Sequence, residues 1–206
     1  MIEAPLSRLW AISIVLIVLC GCSASKPANY YVLSSLQNSR PAVGTSGTEA
    51  ELAIGVGPVK IAEYLDRPQI VTRTSSNGLQ FAEFDRWAES LEKNLTRVVA
   101  DNLSVLLSSE RVCIFPCPKS MPLQYQVTLE IMHLEQMPDG KILLDASWNI
   151  FGEGGEKLLV MKRTRLNLPV QSAGFEGMAS SESRAVEVLS GEIATTLMSL
   201  PRETSQ

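Results

Sequence analysis

The sequence predicts an α+β, two-layer (α/β) fold: a mixed, largely antiparallel sheet with two long helices packed on one face. Three observations carry this. Short β-branched and aromatic runs separated by turn residues fill positions 30–84. Two stretches, 87–107 and 180–200, switch to apolar spacings of three and four residues, the period of an amphipathic helix. Between them lie three alternating runs joined by short turns containing glycine, the pattern of an antiparallel meander. Strands, helix, strands, helix is an order that buries both helices against one sheet face.

The first element is a leader. Arg8 precedes an apolar run from Leu9 to Leu19 broken only by Ser13, and small residues then lead to Cys22. A positive start, a short apolar core and a small-residue cleavage site define a secretory signal. The run is too short for a bilayer span, which needs roughly 20 apolar residues. Leu19-Cys20-Gly21-Cys22 resembles a bacterial lipobox. Cys20 fits poorly as the modified cysteine, because bulky Leu19 would occupy the small-residue position; Cys22 behind Gly21 fits. Residues 1–21 are therefore expected to be cleaved, Cys22 to carry covalent lipid, and 22–29 to be a tether. Residue 23 is Ser and not Asp, so the inner-membrane retention signal is absent. The expected location is the periplasmic face of the outer membrane.

Residues 30–201 are expected to form one globular domain and 202–206 a polar tail; no repeat, heptad array or linker divides them. Tyr30–Leu33 reads as a strand and 37–50, rich in Ser, Gly, Thr and Pro, as a loop. Leu52–Val59 is a second strand, with Pro58 on an edge or bulge. Gln69–Thr74 and Leu79–Phe84 form a hairpin around Asn77-Gly78. A helix follows over Trp87–Leu107 with Asp85 as its N-cap; Leu91, Leu95, Val98, Asn102 and Leu106 mark its inner stripe. Glu89, Glu92, Lys93, Arg97 and Asp101 mark a solvated face. The meander runs 125–134, 142–151 and 157–168. A last helix, about Ser180–Leu200, presents Val186, Leu189, Ile193 and Leu197 and stops at Pro201.

The mature chain would have 185 residues (206 less 21), enough for a real core. Loss of Glu3 and Arg8 with the leader leaves the net charge at −4. Mild acidity argues against nucleic acid or an anionic membrane surface as ligand, since both select basic patches.

Two cysteines remain, Cys113 and Cys117. In an oxidising compartment they are expected to form a disulfide, worth about 2 kcal/mol for so short a loop. A redox pair would more usually be Cys-x-x-Cys, and a metal site would need more than His133 can add. His133, the lone histidine, shares a strand face with Val127, Leu129 and Ile131, so it reads as a satisfied structural residue. No nucleophile elbow, phosphate loop, dinucleotide fingerprint or metal-spaced cluster is present; Gly55-Val56-Gly57 opens no helix. No catalytic residue, metal or cofactor is expected beyond the lipid on Cys22, and the chain reads as a non-enzyme.

The unusual block is 62–73 with 81–91. Tyr64, Leu65, Arg67, Pro68, Arg73, Phe84 and Arg86 are the residue types that anchor interfaces, whereas Trp87 reads as a core anchor. Tyr-Leu-Asp-Arg-Pro-Gln-Ile-Val-Thr-Arg (64–73) and Glu-Phe-Asp-Arg-Trp-Ala-Glu-Ser-Leu (83–91), behind a Tyr-Tyr-Val-Leu start and a lipobox, resemble the PqiC (YmbA) family. Its members are auxiliary lipoproteins of MCE-type transport systems. The likeness covers essentially the whole mature chain. The family usually carries Pro where this chain has Ser90, and the Cys113/Cys117 loop is not part of the likeness. The resemblance implies a non-enzymatic outer-membrane lipoprotein that docks an MCE-domain protein in lipid transport between membranes, and a homo-oligomer to match its ring. The alternatives are an envelope-assembly scaffold with another partner, or an anchored lipid or peptidoglycan hydrolase using His133.

Overall fold

The computed structural model describes residues 26–36 and 51–201. The leader, Cys22, the 37–50 segment and the 202–206 tail lie outside the described residues. Eight strands form one mixed sheet: β1 (Asn29–Tyr31), β2 (Ile54–Ile61), β3 (Gln69–Arg73), β4 (Leu79–Trp87), β5 (Val112–Ile114), β6 (Tyr125–Gln136), β7 (Lys141–Gly152) and β8 (Lys157–Pro169). Two helices, α1 (Leu91–Leu106) and α2 (Gly174–Ser199), cover one face. The architecture is the α+β arrangement expected. The long meander β6–β7–β8 is antiparallel along its length. Parallel pairs are shorter and join β2 to β5 and β6, β3 to β6, and β1 to β4.

β6 is the spine. One edge pairs with β7; the other takes β2 along Tyr125–Ile131 and then β3 at Gln136. The 62–68 loop is thus an excursion between two strands lying along the same edge. The helix-facing side of the meander is apolar: Val127, Leu129, Ile131, Leu134, Ile142, Leu144, Ala146, Trp148 and Ile150 are all buried. Against them pack Leu91, Leu95, Val98 and Leu103 of α1 and Leu189, Ile193 and Leu197 of α2. The register of β2 against β6 shifts between Val56 and Val59. Pro58, which has no N–H to give a ladder, sits at that bulge.

Several boundaries differ from the sequence expectation. β4 continues through Asp85, Arg86 and Trp87, because the chain there pairs with β1 and the Trp87 N–H donates to the Pro68 carbonyl at 2.7 Å. Asp85 therefore caps no helix; it accepts hydrogen bonds from Asn29 and Tyr31, both at 2.9 Å. α1 begins only after Ser90. Leu106 is on the exposed side, not in the stripe, because the helix ends there. α2 begins at Gly174, six residues before the expected start, where Phe175 meets Tyr31 at 6.4 Å between ring centroids. Its glycines and serines read locally as loop, yet Gly177, Ala179 and Ser181 are buried, and small residues let helix and chain approach closely.

The polar members of the stripes have uses. Asn94 and Asn102 accept the backbone N–H groups of Leu33 (2.6 Å) and Leu36 (2.7 Å), pinning the N-terminal segment across the helices. Cys113 and Cys117 are joined by a disulfide with α-carbons 5.8 Å apart. It closes a loop whose Phe115 N–H donates to Val56 O at 2.8 Å.

Glu182 on α2 is wholly buried, and neither carboxyl oxygen has a hydrogen-bond partner among the described residues. Burial, reinforced by the Glu135 charge, pushes its carboxyl well above the usual carboxylate range. A folded-state pKa above the unfolded value of about 4.5 means that stability is greatest below that pH and falls as pH rises toward the folded value. Glu182→Gln should flatten this decline and raise stability at pH 8 by about 1–3 kcal/mol, with little gain at pH 4.5. Urea denaturation at the two pH values measures it.

A Cβ at Gly177 would collide with the Ser172 carbonyl oxygen. Backbone cannot step aside as a flexible side chain can. Gly177→Ala should therefore cost about 1–3 kcal/mol, read as a lowered urea midpoint with an unchanged slope.

Candidate docking surface

The sheet face away from the helices carries the chain's unusual polar chemistry. Its origin is a register shift in β6 between Ile131 and His133. Up to Ile131, odd-numbered residues point at the helices; the bulge resets the phase, so Leu134 enters the core instead. His133 and Glu135 thereby fall on the open face. His133 leaves the apolar side on which strict alternation places it, and stands one-third exposed.

Glu135 is fully buried there and is the hub. The Arg73 guanidinium pairs with Oε1 at 2.9 and 3.0 Å. The Tyr64 hydroxyl lies 2.9 Å from Oε2, and the Leu134 N–H donates to the same oxygen at 2.9 Å. His133 Nδ1 is 3.0 Å from Oε1. Burial and the neighbouring Glu135 charge push the Tyr64 hydroxyl up, out of reach of ordinary titration. Tyr64 therefore keeps its proton and donates a hydrogen bond in this network.

Beside it Arg163 grips Asp145 with two bonds, at 2.7 and 2.8 Å. The first of these contacts, helped by Arg165, holds the Asp145 carboxyl below the usual carboxylate range. Both acids are thus saturated with donors. A carboxylate with its lone pairs engaged is poorly placed to take a proton from a substrate. The network's evident work is mechanical: through Tyr64 it fastens the 62–68 loop to β6. Among the described residues no group of three or more His, Cys, Asp and Glu side chains is arranged to hold a metal ion. No helix among them is long and apolar enough to cross a membrane.

The candidate interface residues divide. Leu65 is a correction: a short 3₁₀ turn, Glu63–Leu65, folds its side chain into the core, where it is 2% exposed and unable to meet a partner. Tyr64 and Arg73 are committed to Glu135. Arg67, Pro68, Phe84 and Arg86 stay at the surface, Pro68 exposed and the others half-buried. Trp87 is in the core.

Phe81, which was not among the candidates, joins the surface residues. It is 43% exposed, and the Arg67 guanidinium lies 4.0 Å from its ring centroid, a close cation–π stack. Only pairing geometry brings them together, since fourteen positions and a strand separate them in sequence. The Nε atoms of Arg67 and Arg86 are buried and have no hydrogen-bond acceptor among the described residues. Arg67 and Arg86, half-buried beside exposed aromatic surface, are of the residue type that takes a carboxylate or carbonyl offered by another molecule.

Comparisons with known proteins give this surface its context. A family model described as ABC-type transport auxiliary lipoprotein component matches residues 31–194. The chain is 24% identical over 195 residues to the intermembrane transport lipoprotein PqiC of Escherichia coli (strain K12), covering 94% of this chain and 96% of that one. The Shigella flexneri protein of the same name matches equally. Among solved structures, protein XCC0632 from Xanthomonas campestris superposes with a TM-score of 0.67 at 15% identity, over 83% of this chain and 95% of that one. An uncharacterized protein superposes with a TM-score of 0.69 at 19% identity, over 84% and 99%. These two show the fold. The chain belongs to the ABC-type transport auxiliary lipoprotein family.

If the network fastens the loop, its Tyr64 donor and its Glu135 acceptor should differ in weight. Tyr64→Phe removes one neutral donor and should cost about 1 kcal/mol. Glu135→Ala leaves Arg73 without its partner in a partly buried site and should cost about 3–5 kcal/mol. In both, amide exchange in residues 62–68 should accelerate more than exchange in β7; equal acceleration throughout would contradict a fastening role.

Proposed function

We propose that this family member is an outer-membrane lipoprotein, anchored through acyl chains on Cys22, that docks the periplasmic end of an MCE-domain protein. In this role it is a non-catalytic subunit of a system moving lipid between the two membranes. It works as a homo-oligomer whose symmetry matches the partner's ring. The full-length likeness to intermembrane transport lipoproteins carries the reading. The leader and lipobox agree with it, and so does Ser23 in the place of a retention Asp.

The mechanism asks little of the domain beyond position. Three acyl chains, at about 0.8 kcal/mol per buried methylene, make the attachment effectively permanent. The domain then offers a surface that holds the end of the transport path near the outer leaflet's inner neighbour. Arg67 stacked on Phe81, with Pro68, Phe84 and Arg86 around it, is that surface. The half-buried Arg67 and Arg86 guanidinium groups take up partner carboxylates or carbonyls, and the aromatic area supplies the desolvated centre that hot spots need.

Charge reversal tests both parts. Arg67→Glu or Arg86→Glu should lower recovery of the MCE-domain protein at least tenfold in co-purification, because a cation facing partner acceptors becomes a like-charge contact. The thermal midpoint should move little. Crosslinking in the cell from position 67 should capture the same partner. A stable, correctly located variant that co-purifies normally would sink the docking assignment.

A further inference from the structure

The described chain starts at Lys26, four residues after Cys22. Four residues reach at most about 14 Å, at roughly 3.3–3.6 Å each. Resting on the reading that Cys22 carries the lipid, Lys26 stands within that reach of the anchor, close to a headgroup layer about 5–8 Å deep per leaflet.

The surroundings of Lys26 are not the generic polar surface that a loosely tethered domain could present. Its ammonium lies 5.8 Å from the centroid of the Phe84 ring. Tyr30 pairs in register with Arg86, two residues from Phe84. Paired residues of parallel strands share a face, so Tyr30 extends the same aromatic and cationic patch to the very edge of the sheet. Tyr30 is 64% exposed and Val32 48% exposed. Two large side chains therefore stand open on the short strand and exit that lie next to the anchor.

We propose that this β1 edge, through Tyr30 and Val32 with Lys26 beside them, sits in the headgroup layer of the bilayer that holds the chain's own lipid. Tyrosine suits that depth because its ring is apolar and its hydroxyl wet. Lys26 can lay its stem along the apolar patch and turn its ammonium to a lipid phosphate. The outward backbone groups of an edge strand remain satisfied there, since the layer is hydrated. Glu83 and Glu176, both exposed nearby, keep the contact shallow. The anchor then does more than hold the domain at a distance: it fixes which edge faces down. The β8 edge lies five strand spacings away, about 24 Å at roughly 4.8 Å each.

Single spin labels read the depth directly. Tyr30→Cys, Val32→Cys and Met161→Cys variants of the lipidated protein are labelled and placed in vesicles of phosphatidylethanolamine and phosphatidylglycerol (3:1). Met161, 72% exposed on β8, is the far-edge reference. Circular dichroism and a mass measurement of the acylated N-terminus accompany each sample. The ratio of oxygen to nickel-chelate accessibility should be at least threefold higher at 30 and 32 than at 161. Equal ratios on a folded, acylated protein overturn the lipid contact and leave the anchoring intact. A mature chain without lipid on Cys22 removes the premise and overturns both.

Discussion

A single buried carboxylate organises the functional half of this molecule. Glu135 sits under the sheet's open face with Arg73, Tyr64, His133 and the Leu134 N–H all directed at it. An ion in that position is tolerable only when its oxygens are fully engaged. The need is met by residues from three different segments, so satisfying the charge fixes their relative positions. Loop 62–68 is held to β6 through Tyr64, and β3 is held to β6 through Arg73. Everything at the surface that depends on the loop's path, above all Arg67 on Phe81, follows from that arrangement.

The bulge that creates the arrangement also divides the labour of the sheet. On the helix side β6, through its bulge to Leu134, and β7 present buried apolar side chains, and two helices close over them. On the open side the same strands carry Glu135 and Asp145, which pair with arginines from β3 and β8. Each acid there is buried by its own cations: Asp145 is 1% exposed although it lies on a face with no helix above it. Charges neutralised in this way give a rigid platform in place of a second core. Arg67 and Arg86, both half-buried, lie at the rim of the platform, near the chain's N-terminal edge.

Family membership and geometry meet at that edge. In the proposed anchoring through Cys22, a tether of a few residues sets the height above the membrane only to within its own reach. A second contact beside the tether turns a height into an orientation. The interface residues that remain at the surface lie next to this edge, on β4 and the loop before β3, so lipid contact and partner contact would be neighbours on one rim.

Much of this was legible in the chain. The α+β class, both helices and the meander follow from local period and local composition, which are short-range properties. What tertiary structure alone decided has a common physical cause, which is pairing between distant segments. β1 prolongs β4 through Asp85–Trp87 and delays the helix to Leu91. Contact with the sheet draws the Gly- and Ser-rich start of α2 into a helix. A one-residue bulge in β6, invisible to any count of alternation, moves His133 off the apolar face and assembles the Glu135 hub. The 3₁₀ turn that buries Leu65 leaves Arg67 two residues later at the surface. Periodicity reports which face a residue would take if its strand were regular; the departures from regularity, and with them the candidate site, are set by what the neighbouring strand requires.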